Sequence, residues 1–373
     1  MTEVTVIGAG IVGVSCALAL QRKGIPTTLI ERGSIGGEAT FGNCALLAVS
    51  EIVPLAKPGV MGKLPGWILN PEGPLAIRPA HLPAAVPWLM RFLLNARAQR
   101  VAQICHALGA LTAPAQDDFD EVIEAAQIRN IWAENEVLYL YDTREQYDAD
   151  QFSWQLRAKE GHDVTELDGS ALRDLEPDVD TTGKFGLIAH GWRSFTDPQR
   201  LTRELSELFT KLGGEIIFAN VSQIEMHSSK AKSLQLSDGS PLKIDKLVIA
   251  AGCWANHLLA NIGLRIPLAG LHGYHTDIAD SGVSLSRPVV YASGGFVNTP
   301  VESGLRIAGT IEIAPLDATP NFRRAEVLVE KAQRHLFPGL THTHGSQWMG
   351  TRPFMPDTLP VIGPAPGVDN TWL

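Results

Sequence analysis

Three glycines and one carboxylate near the amino terminus have the spacing of a phosphate-binding turn. Gly8, Gly10 and Gly13 follow a short apolar run that starts at Val4, and Glu31 ends the next apolar run. The first glycine permits a tight turn, the second lets the backbone approach a pyrophosphate, and the third lets helix and strand pack closely. The helix amides then face the phosphates, and the carboxylate accepts hydrogen bonds from a ribose diol. The pattern predicts a dinucleotide site.

A second candidate lies near the other end of the chain. Arg352 stands between Gly350 and Pro353 in an otherwise apolar stretch. The residues alone leave two plain interpretations open, a surface arginine or an arginine paired with Asp357. No Ser-His-Asp arrangement accompanies it, so the sequence does not predict hydrolytic chemistry of that kind.

The composition limits the kinds of protein that can carry such groups. The 373 residues allow two domains at about 150 residues each, and 45% hydrophobic residues are enough for a buried core. Lys and Arg total 31 and Asp and Glu total 40, so the net charge of −9 is atypical of a nucleic-acid-binding protein. No secretion signal or membrane-spanning segment is evident.

The cysteines and histidines do not form a metal-binding pattern. The four cysteines are Cys16, Cys44, Cys105 and Cys253. None belongs to a CxxC pair, which argues against a disulfide scaffold or zinc module and is typical of a reducing compartment. His342 and His344 have strand spacing, but no carboxylate or cysteine is near them in sequence. We therefore expect no metal, and we expect Cys253 to fill space.

The segments around the glycine turn predict a parallel α/β sheet. A helix at residues 14–23 should end at Gly24, and a strand should follow at 25–31. A later helix should run to residue 212 with Asp197 as its N-cap. Residues 247–252 form another buried strand, and Gly252 at its end fits either a ligand contact or a simple turn.

The middle of the chain is less regular. Residues 51–90 contain eight prolines, which argues against a continuous helix or a central strand. They fit a packed irregular excursion, an active-site lid or a membrane-contacting surface. Residues 89–127 predict core-facing helices broken at Pro114, with Leu94, Val101, Leu108 and Leu111 on the apolar stripe. Residues 164–177 read as a turn-rich connector, and 266–340 as strands followed by a helix at 322–336.

Longer segments resemble the flavin-dependent D-amino-acid dehydrogenase and oxidase family, which includes glycine and sarcosine oxidases. The segments are GAGIVG with Glu31, ERGSIGGEATFGNCA, PLAIRP at 74–79, LVIAAGCWANHLLANIGL at 247–264, RIAGTIE at 306–312 and WMGTRPFMPDTLPVIGP at 348–364. The first motif is shared by many flavoproteins, and the last is much more specific. PLAIRP resembles the D-amino-acid dehydrogenase branch in particular.

The resemblance implies an α/β fold in which a Rossmann-like FAD-binding domain is interleaved with an α+β, antiparallel-sheet substrate domain. The FAD-binding domain would comprise residues 1–50, 178–265 and 345–373, and the substrate or cap domain residues 51–177 and 266–344. The residues implied in binding FAD are Gly8, Gly10, Ile11, Val12, Gly13, Glu31, Arg32, Ala39, Thr40, Asn43, Val221, Ala251, Gly252, Trp254 and Gly363.

The resemblance also assigns substrate contacts. Arg352 would bind the substrate carboxylate with both arms of its guanidinium and so hold the Cα hydrogen against the flavin. Tyr274 matches a position near the flavin, where its hydroxyl would touch the substrate amine or carboxylate, although a buried sheet tyrosine fits the residues equally. His272 stands where relatives often carry another residue type.

The implied activity is oxidation of the C–N bond of D-amino acids, with D-proline and D-hydroxyproline among the candidates. Hydride transfer from Cα to the flavin gives an imine, which hydrolyses to a 2-oxo acid. The alternatives are a glycine or sarcosine oxidase and a non-catalytic flavin-fold protein. Quinone, an electron-transfer protein and oxygen all fit as electron acceptor. A quinone would fit a cytoplasmic protein attached peripherally to the inner membrane through residues 51–90.

The end of the chain departs from the family pattern. The sequence stops at Asn370-Thr-Trp-Leu373, whereas family members continue through a glycine-rich turn and a final helix. The resemblance therefore implies that the chain is a fragment or that its cofactor binding is impaired.

Overall fold

The strands of the computed structural model fall into four sheets, described over residues 2–60, 62, 66, 73, 75–341 and 345–373. The strands are β1 (Val4–Ile7), β2 (Thr27–Glu31), β3 (Leu46–Leu47), β4 (Leu75–Ile77), β5 (Trp132–Ala133), β6 (Val137–Tyr141), β7 (Val164–Leu167), β8 (Phe185–Ala189), β9 (Arg193–Phe195), β10 (Glu215–Phe218), β11 (Val221–His227), β12 (Lys230–Leu236), β13 (Pro241–Lys243), β14 (Lys246–Ile249), β15 (Ala269–Ile278), β16 (Val289–Tyr291), β17 (Phe296–Val301), β18 (Gly304–Ile313), β19 (Gly345–Phe354) and β20 (Thr371–Trp372).

Helices connect and cover these sheets. They are α1 (Ile11–Arg22), α2 (Leu82–Leu94), α3 (Ala98–Thr112), α4 (Ala115–Ala126), α5 (Arg144–Ala149), α6 (Gln151–Lys159), α7 (Gly169–Leu175), α8 (Pro198–Lys211), α9 (Ala255–Leu259) and α10 (Arg323–His335). Among the described residues no helix is long and apolar enough to cross a bilayer.

The first sheet is the parallel sheet expected from the amino-terminal segment. Its order is β10-β2-β1-β14-β20, and every pair is parallel. All residues of β1 and β2 are buried, as expected for strands covered on both faces. The predicted helix stop is also confirmed, since Gly24 has φ +74° directly after α1.

The turn between β1 and α1 shows why glycine is needed at two of its positions. Gly8 has φ +104°, a left-handed conformation that favours glycine. A Cβ on Gly13 would lie 1.8 Å from the carbonyl oxygen of Gly8. The roles predicted for these two glycines, a tight turn and close helix–strand packing, are therefore confirmed.

The large sheet is mixed and mostly antiparallel. Its order is β19-β15-β18-β17-β16-β6-β8-β7, with β4 beside β18. Helix α10 packs against it, and Leu328 and Phe337 are buried in the same cluster as Leu138 and Ile307. The division into interleaved domains stays a prediction, because β19, which begins at the predicted boundary at 345, hydrogen-bonds to β15 of this sheet.

Two expectations about the middle of the chain were wrong. Residues 51–90 are not irregular to their end, because α2 begins at Leu82 with proline in its first turn and accommodates Pro87 inside. The predicted stripe also fails at Leu94 and Leu111, which are 59% and 48% exposed. For Leu94 the reason is the break between α2 and α3, which resets the helical phase. Leu111 lies in the same helix as the buried Val101 and Leu108, in its last turn.

The predicted connector at 164–177 is also wrong. It forms β7 and α7, and Asp168 caps α7 by accepting hydrogen bonds from the amides of Ser170 and Ala171. By contrast, the cap predicted at Asp197 is confirmed, since its carboxylate accepts from the amides of Gln199 and Arg200. In both segments the sequence places an aspartate directly before the first helical residue, so the cap at Asp168 could have been predicted by the same rule.

The close packing at Gly13 generates a stability prediction. Gly13→Ala should lower the free energy of unfolding by more than about 1 kcal/mol, because the new Cβ collides with a backbone carbonyl that cannot move independently. The measurement is urea denaturation. The matched control is Gly339→Ala, where a Cβ meets nothing within 4 Å and little change is expected. Equal midpoints for both variants would contradict this account.

Candidate functional site

The first half of the site lies where β1, β2 and β14 end. Gly10 caps α1 without a side-chain partner, and the amide of Ile11 donates to Thr40 Oγ1 at 3.1 Å. Val12, in the first helical turn, is 69% exposed. The first turn of α1 contains no carboxylate side chain. The positive end of the helix dipole is therefore suited to a bound anion.

Glu31 holds this turn together. Its Oε2 accepts from the amide of Ala9 at 2.7 Å, and its Oε1 accepts from the amide of Gly33 at 2.8 Å. A carboxylate has about four acceptor positions, so capacity remains for a ribose diol. The side chain thus has an architectural task in addition to the ligand contact predicted from the sequence.

The other residues predicted around the cofactor fall into contacting groups. The guanidinium of Arg32 lies 3.8 Å from the ring centre of Trp254 and pairs with Glu38. A Cβ on Gly8 would lie 3.2 Å from the Cα of Ala251. Three separate chain segments are therefore brought to the end of one parallel sheet.

Four more predicted residues have clear places in the fold. Ala39 is half-buried and precedes Thr40 in the loop after β2. Asn43 accepts from the amide of Ala45, at 2.7 Å. Val221 is buried at the start of β11, and the amide of Gly363 donates to the carbonyl of Leu373. The contacts proposed for these residues with a cofactor stay predictions.

The backbone at Gly252 bears on the choice between ligand contact and simple turn. Gly252 has φ +52°, and a Cβ placed on it would meet nothing within 4 Å. The preceding residue lies against the glycine turn, since a Cβ on Gly8 would be 3.2 Å from the Cα of Ala251. Together with the uncapped helix end, this arrangement fits the pyrophosphate of a dinucleotide.

The second half of the site is one face of β15 and β19. The register pairs Leu271 with Arg352, Gly273 with Gly350, and His275 with Trp348, so these side chains share a face. A Cβ on Gly273 would lie 2.9 Å from Nη2 of Arg352, which shows that the guanidinium lies across this glycine.

Arg352 has no ion-pair partner within the described part of the chain, and it is half-buried. The alternative that it pairs with Asp357 is wrong, since Asp357 pairs with Arg100 at 3.3 Å. A half-buried guanidinium without a carboxylate partner is suited to bind a carboxylate or phosphate from outside.

Tyr274 lies on the opposite face of β15 from Arg352. Its hydroxyl donates to Glu312 and accepts from the amide of Asn321, and the residue is 1% exposed. Burial, together with the hydrogen bond to Glu312, raises the pKa of Tyr274 to about 12. The structure thus places the two residues expected to act together on opposite faces of the sheet. The catalytic role of Tyr274 stays a prediction.

Two further residues near Tyr274 and β19, His272 and Cys253, are also buried within the protein. His272 is buried between Thr351 Oγ1, at 2.9 Å, and the carbonyl of Pro315, at 2.8 Å. Cys253 is buried, and burial raises its pKa to about 12, as expected for a space-filling thiol. His272 thereby joins β15 to β19 and to the segment after β18.

A buried ion pair that sequence reasoning missed joins the two halves of the site. Arg306 on β18 pairs with Asp277 on β15 through two contacts of 2.8 Å. Its Nη1 also donates to the carbonyls of Phe41 and Asn43, at 3.0 and 2.9 Å. The loop that carries the predicted cofactor contacts is thereby fixed against the face that carries Arg352. The motif at 306–312 was the available signal.

His275 completes this junction. Its Nδ1–H donates to the carbonyl of Gly42 at 3.2 Å, and its ring stacks on Trp348 with centres 5.2 Å apart. Burial, and then the positive charge of Arg306, lower the pKa of His275 to about 4 despite Asp277 nearby. The imidazole is therefore neutral at pH 7.

No group of three or more His, Cys, Asp or Glu side chains is placed to hold a metal ion among the described residues. His342 and His344, considered above as weak metal candidates, lie outside those residues. So does Pro74 of the PLAIRP segment, of which Arg78 pairs with Glu312 at 3.0 Å.

Comparison with known proteins agrees with this geometry. The family model described as "DAO: FAD dependent oxidoreductase" matches residues 3–373. This chain belongs to that family. Its cofactor is FAD, and its mixed fold of helices and several sheets matches that of FAD-dependent oxidoreductases.

Two curated relatives cover nearly the whole chain. The D-amino-acid oxidase of Bradyrhizobium diazoefficiens is 34% identical over 97% of this chain and 87% of its own length. The D-amino acid dehydrogenase of Vibrio cholerae is 28% identical over 98% of this chain and 88% of its own length. Among solved structures, glycine oxidase of Geobacillus kaustophilus matches with a TM-score of 0.71 at 19% identity, covering 100% of this chain and 88% of that one.

The lowered pKa of His275 generates a prediction about pH. Its folded pKa of about 4 lies below the ordinary value of 6.5, so the unfolded state binds more protons between these values. The free energy of unfolding of this DAO family member should therefore fall as the pH falls from 6.5 to 4, by on the order of 3 kcal/mol from this group.

The measurement is urea denaturation at several pH values. His275→Gln should flatten the dependence in this window, because glutamine does not titrate and still offers a donor to Gly42. His257→Gln, at an exposed position, serves as the control. An unchanged slope in His275→Gln would show that this imidazole is not the source.

Proposed function

We propose that this oxidoreductase oxidises the C–N bond of D-amino acids to an imine, which water hydrolyses to a 2-oxo acid. The observation that carries the proposal is the half-buried guanidinium of Arg352, which has no ion-pair partner among the described residues and lies on the sheet face to which the cofactor loop is fixed. The names of the Bradyrhizobium and Vibrio relatives support the substrate class.

The residues around the glycine turn fit FAD and would hold it. The amides after Gly10 would face the pyrophosphate, and Glu31 would accept from the ribose. Gly252 leaves room for the backbone to approach the ligand. When bound, FAD supplies the acceptor for the two electrons and the hydride.

Arg352 has the task of positioning the substrate. Two parallel hydrogen bonds from its guanidinium would fix both the place and the rotation of the substrate carboxylate. With that group fixed, only one face of Cα is directed towards the cofactor, and binding energy is converted into orientation. The neutral amine of the substrate assists loss of the Cα hydrogen, so no side-chain base is required.

Reduction of the flavin by a substrate panel tests the proposal. Purified protein reconstituted with FAD is mixed anaerobically with D-alanine, D-proline, D-hydroxyproline, glycine and sarcosine, and the flavin absorbance is followed. Bleaching by D-amino acids alone supports the proposal. Bleaching by glycine or sarcosine alone would replace it with the amine-oxidase alternative, and a protein that binds no FAD would support the non-catalytic one. Reoxidation with oxygen, quinone or an electron-transfer protein then identifies the acceptor.

Arg352→Lys tests the carboxylate contact. The variant should retain FAD but bind carboxylates about 1.5–3 kcal/mol more weakly, because one arm of the bidentate contact is lost. The measurements are KM for D-alanine and the affinity for benzoate. Arg97→Lys, at an exposed position, should leave both unchanged. Equal benzoate affinity in Arg352→Lys and wild type would show that this guanidinium does not bind the carboxylate.

We also propose that the protein is cytoplasmic and that α2 contacts an anionic membrane surface. The exposed apolar side chains of this helix are Leu82, Val86, Met90 and Leu94. Residues 73–116 contain no acidic residue, although the whole chain has a net charge of −9. Arg91 on α2 and Arg97 shortly after its end are both exposed. This combination is typical of a helix lying in a membrane interface.

Vesicle sedimentation tests the membrane contact. The protein should pellet with vesicles rich in anionic phospholipid and much less with zwitterionic vesicles. Met90→Glu should lower the bound fraction several-fold, because it places a charge on the apolar face. Phe218→Glu, which replaces a 65% exposed side chain elsewhere, is the control. Equal pelleting of Met90→Glu and wild type would contradict the proposal.

A further inference from the structure

Two glycines face each other across β15 and β19, and two larger side chains occupy the space above them. Gly273 and Gly350 are direct partners in the register. A Cβ on Gly273 would lie 2.9 Å from Nη2 of Arg352, and a Cβ on Gly350 would lie 1.6 Å from Cη2 of Trp348. The guanidinium therefore covers one glycine and the indole covers the other. Since paired Cα atoms are about 5 Å apart, the two side chains lie next to each other.

The indole of Trp348 is held on several sides. The imidazole of His275 stacks on it at 5.2 Å with an interplanar angle of 20°, and the ring of Phe41 meets it edge-on at 5.7 Å. A Cβ on Gly42 would lie 1.8 Å from its Cζ3, so the loop backbone abuts the ring edge. Arg306 fixes that loop through the carbonyls on either side of Gly42. The ring consequently has little freedom to swing away.

We propose that Trp348 is the wall that limits the size of the substrate side chain. This inference rests on the proposed function, in which Arg352 binds the substrate carboxylate. The substituent on Cα is only two bonds from that carboxylate carbon, so it must lie close to whatever adjoins the guanidinium. A held indole next to the guanidinium restricts the width available to that substituent and favours small side chains over wide ones.

A purely structural role for Trp348 makes a different prediction. If the indole only packed against Phe41 and His275, its replacement would lower stability and reduce turnover of all substrates by a similar factor. If Trp348 limits the width of the substrate side chain, its replacement changes the kcat/KM of wide substrates relative to that of narrow ones instead. The ratio of kcat/KM values therefore distinguishes the two roles, since uniform losses cancel in it.

The test replaces the indole by a smaller side chain. Trp348→Leu should raise the kcat/KM of D-phenylalanine relative to that of D-alanine by at least about ten-fold. Trp132→Leu is the control, because Trp132 is also half-buried in an aromatic cluster, with Phe119 and Phe195. It should leave the ratio unchanged. A ratio within two-fold of wild type in Trp348→Leu would overturn the proposal.

A binding measurement removes the dependence on turnover. Calorimetric titration of the FAD-loaded protein with acetate and 1-naphthoate should show that Trp348→Leu gains affinity for the wide carboxylate and keeps that for the narrow one. Trp348→Phe, which retains a stacking ring, should give an intermediate gain and serves if the leucine variant does not fold. Loss of affinity for both carboxylates to the same degree would overturn the assignment.

These measurements separate failure of the wall from failure of the proposed function. In one outcome, no D-amino acid reduces the flavin but Trp348→Leu changes the width dependence of carboxylate binding as expected. The proposed reaction is then wrong, and the proposed role of Trp348 is supported. If D-amino acids reduce the flavin and the width dependence does not respond to Trp348, the reaction stands and the wall is wrong. If the wild-type protein binds neither acetate nor 1-naphthoate, the proposed function and the proposed role of Trp348 are both wrong.

Discussion

The buried pairing of Arg306 with Asp277 is the constraint on which the arrangement of the site depends. Both side chains are almost fully buried, and each charge is compensated by the other and by further hydrogen bonds. Removing either partner would leave an uncompensated charge in the interior, which is strongly unfavourable. Because the same guanidinium binds the carbonyls of Phe41 and Asn43, the pair also determines the distance between the cofactor loop and the large sheet. The alignment of one half of the site with the other follows from it.

The alternation of side chains along β15 and β19 divides the chemistry between two faces. Arg352, Trp348 and His275 are on the face that meets the cofactor loop, whereas Tyr274 is on the other. On that other face, Arg78 and Tyr274 both bind Glu312, and this network ties the segment after β4 to β15 and β18. One face is therefore available for a ligand, and the other is used to hold the sheet and its covering segments.

The fold alone does not decide the substrate. Solved structures with TM-scores of 0.67 to 0.71 include a glycine oxidase, an iminodiacetate oxidase, an L-amino acid deaminase and a glycerophosphate oxidase. Proteins with such different names share one architecture, so selectivity has to come from side chains at the ligand face. In this chain Arg352 and Trp348 lie side by side on that face, over the two paired glycines Gly273 and Gly350.

The sequence by itself determined the parallel sheet, the glycine turn with Glu31 and the cap at Asp197, because local rules govern each of them. The backbone conformation at Gly8, the burial of whole apolar strands and the N-cap of a helix depend on neighbours within a few residues. It also proposed Arg352 as the carboxylate-binding residue through a motif, and that role stays a prediction. Only the tertiary structure showed that Tyr274 lies on the opposite face, that Asp357 belongs to Arg100, and that Arg306 links Asp277 to the loop. These facts depend on the register between strands and on contacts over more than two hundred residues, which no local pattern encodes.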